Sequence, residues 1–332
     1  MVNIMKKINI ALIGVTGLVG RTILSILEES DVSINDIKFF ASNKSIGKIV
    51  RFRNEEYMIQ ELNEKEFDDI DYALLSVPSS ISSIWAPILE KKGIVVIDNS
   101  SFFRMRDDVA LVVPELNINS VKGKRKIIAC PNCSTIQSVL ALKPLDDAYR
   151  IKKINYITYQ SVSGVGNKGI EELENVRMGR KPSIFPYDIS KTCIPEIDSP
   201  LRNGYSKEEM KMIEESKKIL GRENILISAT CVRVPLVRSH AVVIHVEFEK
   251  KIDLKEIRDI LSHSKGIILK DDFLNHIYPL SSDALNNDLV YVGRVRKDIA
   301  CENGIILYVV GDNIRRGAAY NVVETLKGLL KN

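Results

Sequence analysis

The stretch Ile8-Asn-Ile-Ala-Leu-Ile13-Gly14-Val-Thr-Gly17-Leu-Val-Gly20 decides the fold. An apolar run broken only by Asn9 reads as a strand, the glycines as a tight turn, and Leu18–Glu29 as the helix that follows. Strand, glycine turn and helix in this order open a dinucleotide-binding unit, because glycine lets backbone N–H groups approach a pyrophosphate at the helix N-terminus. The spacing is G-x-x-G-x-x-G where G-x-G-x-x-G is usual, and a glycine-rich turn with no ligand is the competing reading. Gly14, Thr16, Gly17, Leu18, Val19 and Gly20 are the candidate cofactor contacts.

Outward from that turn, Ile37–Phe40, Tyr72–Val77, Ile94–Ile97 and Ile127–Ala129 are short, rich in Val and Ile, and not alternating. Strands buried on both faces look like this. Helical stretches between them imply βαβ units and a parallel sheet. Beyond residue 133, Asn155–Ser161, Asn224–Val234, Ala241–Glu249, Leu289–Val295 and Ile305–Val310 read as strands. Helices are expected over Asn167–Met178, Ser206–Leu220 and Asp253–Leu261, an α+β pattern. Gly317–Leu330 reads as an amphipathic helix. The expected class is α/β: a Rossmann-type parallel-sheet cofactor domain over 1–132, with the carboxy-terminal helix 313–332 packing back on it. An α+β catalytic and dimerisation domain over 133–312 completes the chain.

Composition agrees with an ordinary soluble globular protein. A chain of 332 residues carries a prior of about two domains. With 45% hydrophobic and 27% charged residues it is not a disordered chain. Lys and Arg number 47 against 43 Asp and Glu, a net +4 that excludes a broad nucleic-acid surface. No apolar run nears the ~18 residues that span a bilayer. The amino-terminal stretch lacks a signal-peptide pattern, so a cytoplasmic location is expected. Five cysteines, an odd number in a long chain, argue against a disulfide framework. All but Cys133 read as packing residues.

The second strand runs into Ala41-Ser42-Asn43-Lys44-Ser45. A site for NAD places a carboxylate here against the ribose 2′-hydroxyl. This sequence offers Ser42, Lys44 and Ser45 instead, which suit a 2′-phosphate, so the expected cofactor is NADP. In Ile127-Ile-Ala-Cys130-Pro-Asn-Cys133-Ser-Thr, a strand ends at Pro131 and a helix begins near Ser134. A thiol at a helix N-terminus is a credible covalent nucleophile. Asn132 and first-turn N–H groups are candidate oxyanion donors. Cys130-x-x-Cys133 also fits a redox or half-zinc pattern, but no second C-x-x-C exists and no metal is expected. Of four histidines, His240 follows the basic segment Arg233-Val-Pro-Leu-Val-Arg-Ser239 and is the preferred base for an anionic substrate.

Taken together, these residues resemble the aspartate-semialdehyde dehydrogenase family over nearly the whole chain. Gly14–Gly20 is similar to its glycine turn, and Asp98-Asn-Ser-Ser-Phe-Phe-Arg104-Met to its phosphate-arginine stretch. Pro131-Asn-Cys133-Ser-Thr resembles its catalytic cysteine segment, and Tyr159-Gln160-Ser-Val-Ser-Gly164 its glutamine loop. Glu208-Glu-Met-Lys211 and Cys231-Val-Arg233-Val-Pro235 with His240 resemble its substrate and base segments. Gly311-Asp-Asn313 with Gly317-Ala-Ala resembles its carboxy-terminal cofactor turn.

The resemblance implies Cys133 as nucleophile, His240 as acid/base, and Gln160 holding the acyl intermediate. It implies Arg233 on the substrate α-carboxylate, Glu208 near the amino group, and Arg104 and Lys211 on the phosphate. Ser161 and Gly164 would line the substrate side, and Ser76, Asn99, Ser100, Ser163 and Asn313 would join the cofactor contacts. The implied reaction is NADPH-dependent reductive dephosphorylation of L-aspartyl-4-phosphate to L-aspartate 4-semialdehyde, for amino-acid biosynthesis, in a homodimer or homotetramer. Lys44, Ala241-Val242, Asp188, Lys191-Thr192 and Cys130 depart from the family pattern. An N-acetylglutamyl-phosphate reductase would carry His-Pro-Gly-Cys around its thiol, and a catalytically silent homologue would lack the thiol or the base.

Overall fold

The structure is a computed structural model that describes residues 7–331. Residues 1–6, the start of the stretch read above for a targeting signal, lie outside it. The chain divides into two compact units, 1–131 with 318–332, and 132–317.

The first unit runs β1 (Ile8–Ile13), α1 (Leu18–Glu29), β2 (Ile34–Phe40), β3 (Ile49–Phe52), β4 (Glu55–Met58), β5 (Tyr72–Leu75), α2 (Ser79–Lys91), β6 (Val95–Asp98), β7 (Ala110–Leu111), the single turn α3 (Pro114–Asn117) and β8 (Ile127–Ala129). Six strands form an all-parallel sheet in the order β2-β1-β5-β6-β8-β7. Its strands are buried on both faces, which is why they read as continuous Val/Ile runs. Ile10, Leu12, Ile23, Leu27, Phe39 and Leu74 make the core, joined by Val322, Val323 and Leu326 of the carboxy-terminal helix Tyr320–Lys331.

The hairpin β3–β4 is a finding that the sequence reading lacks. Its turn residues Arg53 and Asn54 both have positive φ (48° and 67°), as a two-residue type I′ turn requires. The usual marker of such a turn, Asn-Gly or Asp-Gly, is missing, so propensity alone does not signal it.

The second unit runs α4 (Cys133–Tyr149), β9 (Ile151–Gln160), α5 (Asn167–Arg177), α6 (Lys207–Leu220), β10 (Leu226–Arg233), β11 (His240–Phe248), α7 (Leu254–His263), β12 (Ile267–Leu269), the single turn α8 (Ser281–Ala284), β13 (Val290–Lys297) and β14 (Gly304–Gly311). A mixed six-stranded sheet has the order β10-β9-β11-β14-β13-β12. Helix α4 is buried nearly all round, including Ile136, Val139, Leu140, Leu142 and Leu145, so it is the central element of this unit. With α6 and α7 it covers one face of the sheet, and Val242, Ile244, Val246, Leu307 and Val309 point to that face. The other face presents Ile157, Tyr159, Val243 and Tyr308 in neighbouring registers.

Two expectations need correction. The return to the first unit lies at Gly317–Ala318, not at residue 313. Asp312 is held in the second unit by Arg238, at 3.0 Å, and by the N–H of Asn286, so the preceding turn stays with β14. The carboxy-terminal helix itself starts at Tyr320, after a π-helical turn over Arg315–Ala319, rather than at Gly317. Among the cysteines, Cys130 and Cys231 are buried, but Cys193 is exposed and Cys301 only half-buried, so those two are not core residues. None of the five is disulfide-bonded.

Candidate active site

Cys133 is the first residue of α4 and Asn132 is its N-cap. The Asn132 Oδ1 accepts from the N–H groups of Ser134 (2.9 Å) and Thr135 (3.4 Å). The cap fixes the direction of the helix start and hence of the thiol. It also corrects one expectation. The N–H groups of Ser134 and Thr135 are occupied by the cap, and the Asn132 amide donates to Glu208 Oε1 at 2.8 Å. Asn132 and those N–H groups therefore position the nucleophile and do not wait as oxyanion donors. Gly317 packs against the cysteine so closely that a Cβ there would lie 2.6 Å from Cys133 Cβ.

Glu208, on α6, is the centre of a buried polar chain. Its Oε1 also accepts from Gln160 Nε2 at 3.0 Å, and Gln160 Oε1 accepts from Thr158 Oγ1 at 2.9 Å. Its Oε2 faces Lys211 Nζ at 3.1 Å, and Lys211 reaches Asp198 at 2.8 Å. Burial works to raise the Glu208 pKa, but the Lys211 charge and the amide hydrogen bonds prevail and hold it below the ordinary glutamate value. Lys211 thus pairs with two carboxylates in addition to any role toward phosphate. Glu215, seven residues on, accepts from the Asn132 N–H at 2.6 Å. The sequence reading missed it, although an acid two helical turns from Glu208 on the face of Met212 and Ile219 is a usable signal.

His240 opens β11 and is fully buried. The backbone N–H of Ser161 donates to its Nδ1 at 3.0 Å, and Ser161 Oγ lies 3.1 Å from the same nitrogen. Its Nε2 is buried with no hydrogen-bond partner. Desolvation, helped by the Arg233 charge, pushes its pKa down to about 3. Arg233 is buried too, donates to the Ser161 carbonyl at 2.7 Å, and lies within electrostatic reach of Cys133 and Glu208. At Gly164 a Cβ would stand 2.7 Å from Arg233 Nη1 and 3.6 Å from His240 Nε2, so glycine keeps the space before both groups open.

Asn313 and Ser163, read as cofactor contacts, belong to this network. Asn313 Oδ1 accepts from Ser239 N (3.0 Å) and lies 3.2 Å from the hydroxyls of both Ser161 and Ser163. Ser239, missed by the sequence reading, holds a positive φ of 74° just before His240. Nothing in the local sequence signals it.

The remaining candidates lie in the first unit. Gly14 has φ +94°, and a Cβ there would meet the Ser76 carbonyl at 2.1 Å. A Cβ at Gly20 would meet the Gly14 carbonyl at 2.1 Å. The N–H groups of Gly14, Val15 and Gly17 go to the carbonyls of Phe40 and Gly14, while Gly17 caps α1 with no side-chain acceptor, so the N–H groups of Leu18 and Val19 face an anion without competition from a cap. This cradle fits a dinucleotide pyrophosphate. Ser42 and Lys44 are exposed beyond β2, as a phosphate contact needs, whereas Ser45 is buried. The Asn99 N–H donates to the Leu75 carbonyl and the Ser100 N–H to Asp98 Oδ1, at 3.0 Å each. The Asn99 and Ser100 carbonyls accept from Arg104, at 3.1 Å each, and the Ser100 hydroxyl donates to Asp98. Cys130 is buried in the core of this unit, and desolvation pushes its thiol up to about 12, so it is a packing residue. Among the described residues no group of three or more His, Cys, Asp or Glu side chains is arranged for a metal, and no helix is long and apolar enough to cross a membrane.

Comparison with known proteins agrees with this geometry. The family model described as the NAD-binding domain of semialdehyde dehydrogenase matches residues 9–124, and the one described as the dimerisation domain matches residues 142–316. Aspartate-semialdehyde dehydrogenase from Aquifex aeolicus is 46% identical, covering 97% of this chain and 98% of that one. A second such enzyme from Vibrio cholerae is 42% identical over 98% and 99% of the two chains. The crystal structure of that Vibrio cholerae enzyme matches with a TM-score of 0.94, also at 42% identity over 98% and 99%. A nicotinamide dinucleotide is the cofactor of the first unit, a small molecule is the substrate, and the second unit serves oligomerisation. With both family models matched and relatives this similar over nearly the whole length, this chain is an oxidoreductase of the aspartate-semialdehyde dehydrogenase family.

Proposed function

We propose that the protein reduces L-aspartyl-4-phosphate to L-aspartate 4-semialdehyde with NADPH, and runs the phosphorylating oxidation in reverse. The observation that carries this reading is the constellation around Cys133, in which Asn132, Glu208, Gln160, Arg233 and His240 lie in one buried network. Cys133 attacks the acyl phosphate and phosphate leaves, which gives a thioester. The bound cofactor supplies the hydride that converts the thioester to a thiohemiacetal, whose C–S bond then breaks to release the aldehyde. Arg233 forks onto the α-carboxylate. Glu208 meets the α-amino group, with Lys211 assigned to phosphate. Gln160 orients the acyl group from its bond to Glu208.

Ser42 and Lys44, exposed and without a competing carboxylate, support NADP over NAD. In the first unit the cofactor contacts run over Gly14–Gly20, Ser42, Lys44, Ser45, Ser76, Asn99 and Ser100. A second copy of the chain packs on the sheet face of Ile157, Tyr159, Val243 and Tyr308, opposite the face that α4, α6 and α7 cover.

The test is phosphate-dependent NADP+ reduction by L-aspartate 4-semialdehyde, run in parallel with NAD+. Turnover with NADP+ and little with NAD+ is expected. No turnover with either cofactor sinks the reaction, and equal turnover sinks the reading of Ser42 and Lys44.

A further inference from the structure

Helix α4 carries half of a capping box. In the full motif the N-cap side chain accepts the N–H of the third helical residue, and a Glu or Gln at that third position accepts the N–H of the N-cap in return. Asn132 performs the first half through its Oδ1. The third residue of α4 is Thr135, whose hydroxyl donates to Met212 Sδ at 3.6 Å instead. Glu215 supplies the missing half from another helix. Its Oε2 accepts the Asn132 N–H at 2.6 Å, and both residues are buried. Glu208, Met212 and Glu215 stand at i, i+4 and i+7 on α6 and so share one of its faces. They meet, in turn, the Asn132 amide, the Thr135 hydroxyl and the Asn132 N–H.

Of these three contacts only the one from Glu215 holds main chain, and it does so one residue before Cys133. A bond to a side chain lets the backbone drift as χ angles turn. A bond to an N–H fixes the planar peptide unit itself, and with it the point from which the helix and the thiol set out. A carboxyl group this close to the nucleophile brings a thiolate no electrostatic gain, since like charges oppose ionisation. Its value there is geometric. We propose that Glu215 is a positioning residue for Cys133, which completes the cap of α4 from α6 and works through the reach of its acceptor oxygen and not through its charge. It acts on the reacting atoms only by way of Asn132. The inference rests on the reaction assigned above for the role of the thiol, and on geometry alone for the cap.

Two variants separate reach from charge. Glu215→Gln keeps an acceptor oxygen at full reach and drops the charge, whereas Glu215→Asp keeps the charge and withdraws the oxygen by one methylene. The first readout is the pH midpoint of Cys133 alkylation by iodoacetamide, followed by mass spectrometry on the peptide that carries Cys133. A helix start that frays takes its N–H groups and its dipole away from the thiolate, so the midpoint should rise by about 0.5 units or more in Glu215→Asp and should not rise in Glu215→Gln. The second readout is steady-state kinetics. A displaced nucleophile should lower kcat by about 10–10²-fold in Glu215→Asp with the semialdehyde KM within about threefold, while Glu215→Gln keeps kcat within about threefold of wild type. Glu215→Ala should behave like Glu215→Asp, and if it does not fold the Gln–Asp contrast still decides. An impaired Glu215→Gln beside an intact Glu215→Asp gives the role to the charge and overturns the inference. A lower melting temperature in Glu215→Asp with midpoint and kcat unchanged makes Glu215 a stabilising residue only, and also overturns it. Alkylation needs no turnover, so an enzyme inactive on the semialdehyde refutes the assigned reaction while the midpoints still decide the cap.

Discussion

The side-chain amide of Asn132 donates to Glu208 Oε1 at 2.8 Å, and through that bond a carboxylate on α6 holds the cap of the helix that begins with Cys133. Residues 76 positions apart in sequence thereby set the direction of the nucleophile. Glu208 does this while also holding Gln160 and Lys211, so its loss leaves two buried amides and a cation without their shared acceptor. Glu208→Ala should destabilise the fold by about 3 kcal/mol in urea titration and lower kcat as well. Glu208→Gln keeps an acceptor for both amides and should cost roughly half as much. Equal stability for the two variants would show that the amide bonds to Oε1 contribute nothing.

Cys133→Ser should leave the urea midpoint close to wild type, because it exchanges sulfur for oxygen in a side chain of the same shape. It should lower kcat by more than about 10³-fold. Steady-state NADP+ reduction checks the rate, and intact-mass measurement with aspartyl phosphate checks for the acyl adduct. Retained activity removes Cys133 as nucleophile.

Gly20→Ala places a methyl group 2.1 Å from the Gly14 carbonyl, a backbone atom that cannot swing away. The variant should lose at least roughly 3 kcal/mol or fail to accumulate in soluble form. If it folds, the NADP+ KM should rise. Thermal melting with and without cofactor measures both effects, and an unchanged melt contradicts the close packing of strand and helix at this turn.

Lys44→Ala removes an exposed charge and no packing, so stability should not change. The NADP+ KM should rise about tenfold while the NAD+ value stays put, since only the former has a 2′-phosphate. Equal effects on the two cofactors would assign Lys44 to some other part of the molecule.

Acid should unfold the protein through His240 and Glu208. The folded His240 pKa is near 3 and the unfolded value near the usual 6.5, so between them the unfolded chain binds more protons. Stability therefore rises with pH across that window, and it falls as pH drops below about 6.5. Glu208, depressed below the ordinary glutamate value, adds to the loss at lower pH. Urea midpoints from pH 7 to 4 should fall steeply in wild type and less steeply in His240→Gln.

Much of the first unit was legible because its physics is local. The Ile8–Ile13 strand, the Leu18–Glu29 helix and the Ile127–Ala129 strand stand at the residues where apolar runs and glycines put them. Other strands were found with ends off by a few residues, as β2 shows by starting at Ile34 rather than Ile37. The Arg53-Asn54 turn was not legible, because Arg seldom takes the left-handed backbone and no Asn-Gly or Asp-Gly pair marks the turn. The candidate site residues were read from their motifs. Their partners were not, since Glu208 with Asn132 and Asn313 with Ser161 are side-chain bonds between distant segments.

By itself, the sequence determined which chemistry the chain carries: a thiol at a helix start, one histidine after a basic segment, and a glycine turn free of side-chain obstruction. Periodicity and residue type act over a few neighbours, so a single chain reads them out directly. Only the tertiary structure decided what those groups do at rest. It spent the first-turn N–H groups of α4 on Asn132, paired Lys211 with two carboxylates, and gave His240 Nδ1 a backbone donor. Hydrogen-bond direction and burial arise only when distant segments meet, and they set the protonation and freedom of each group.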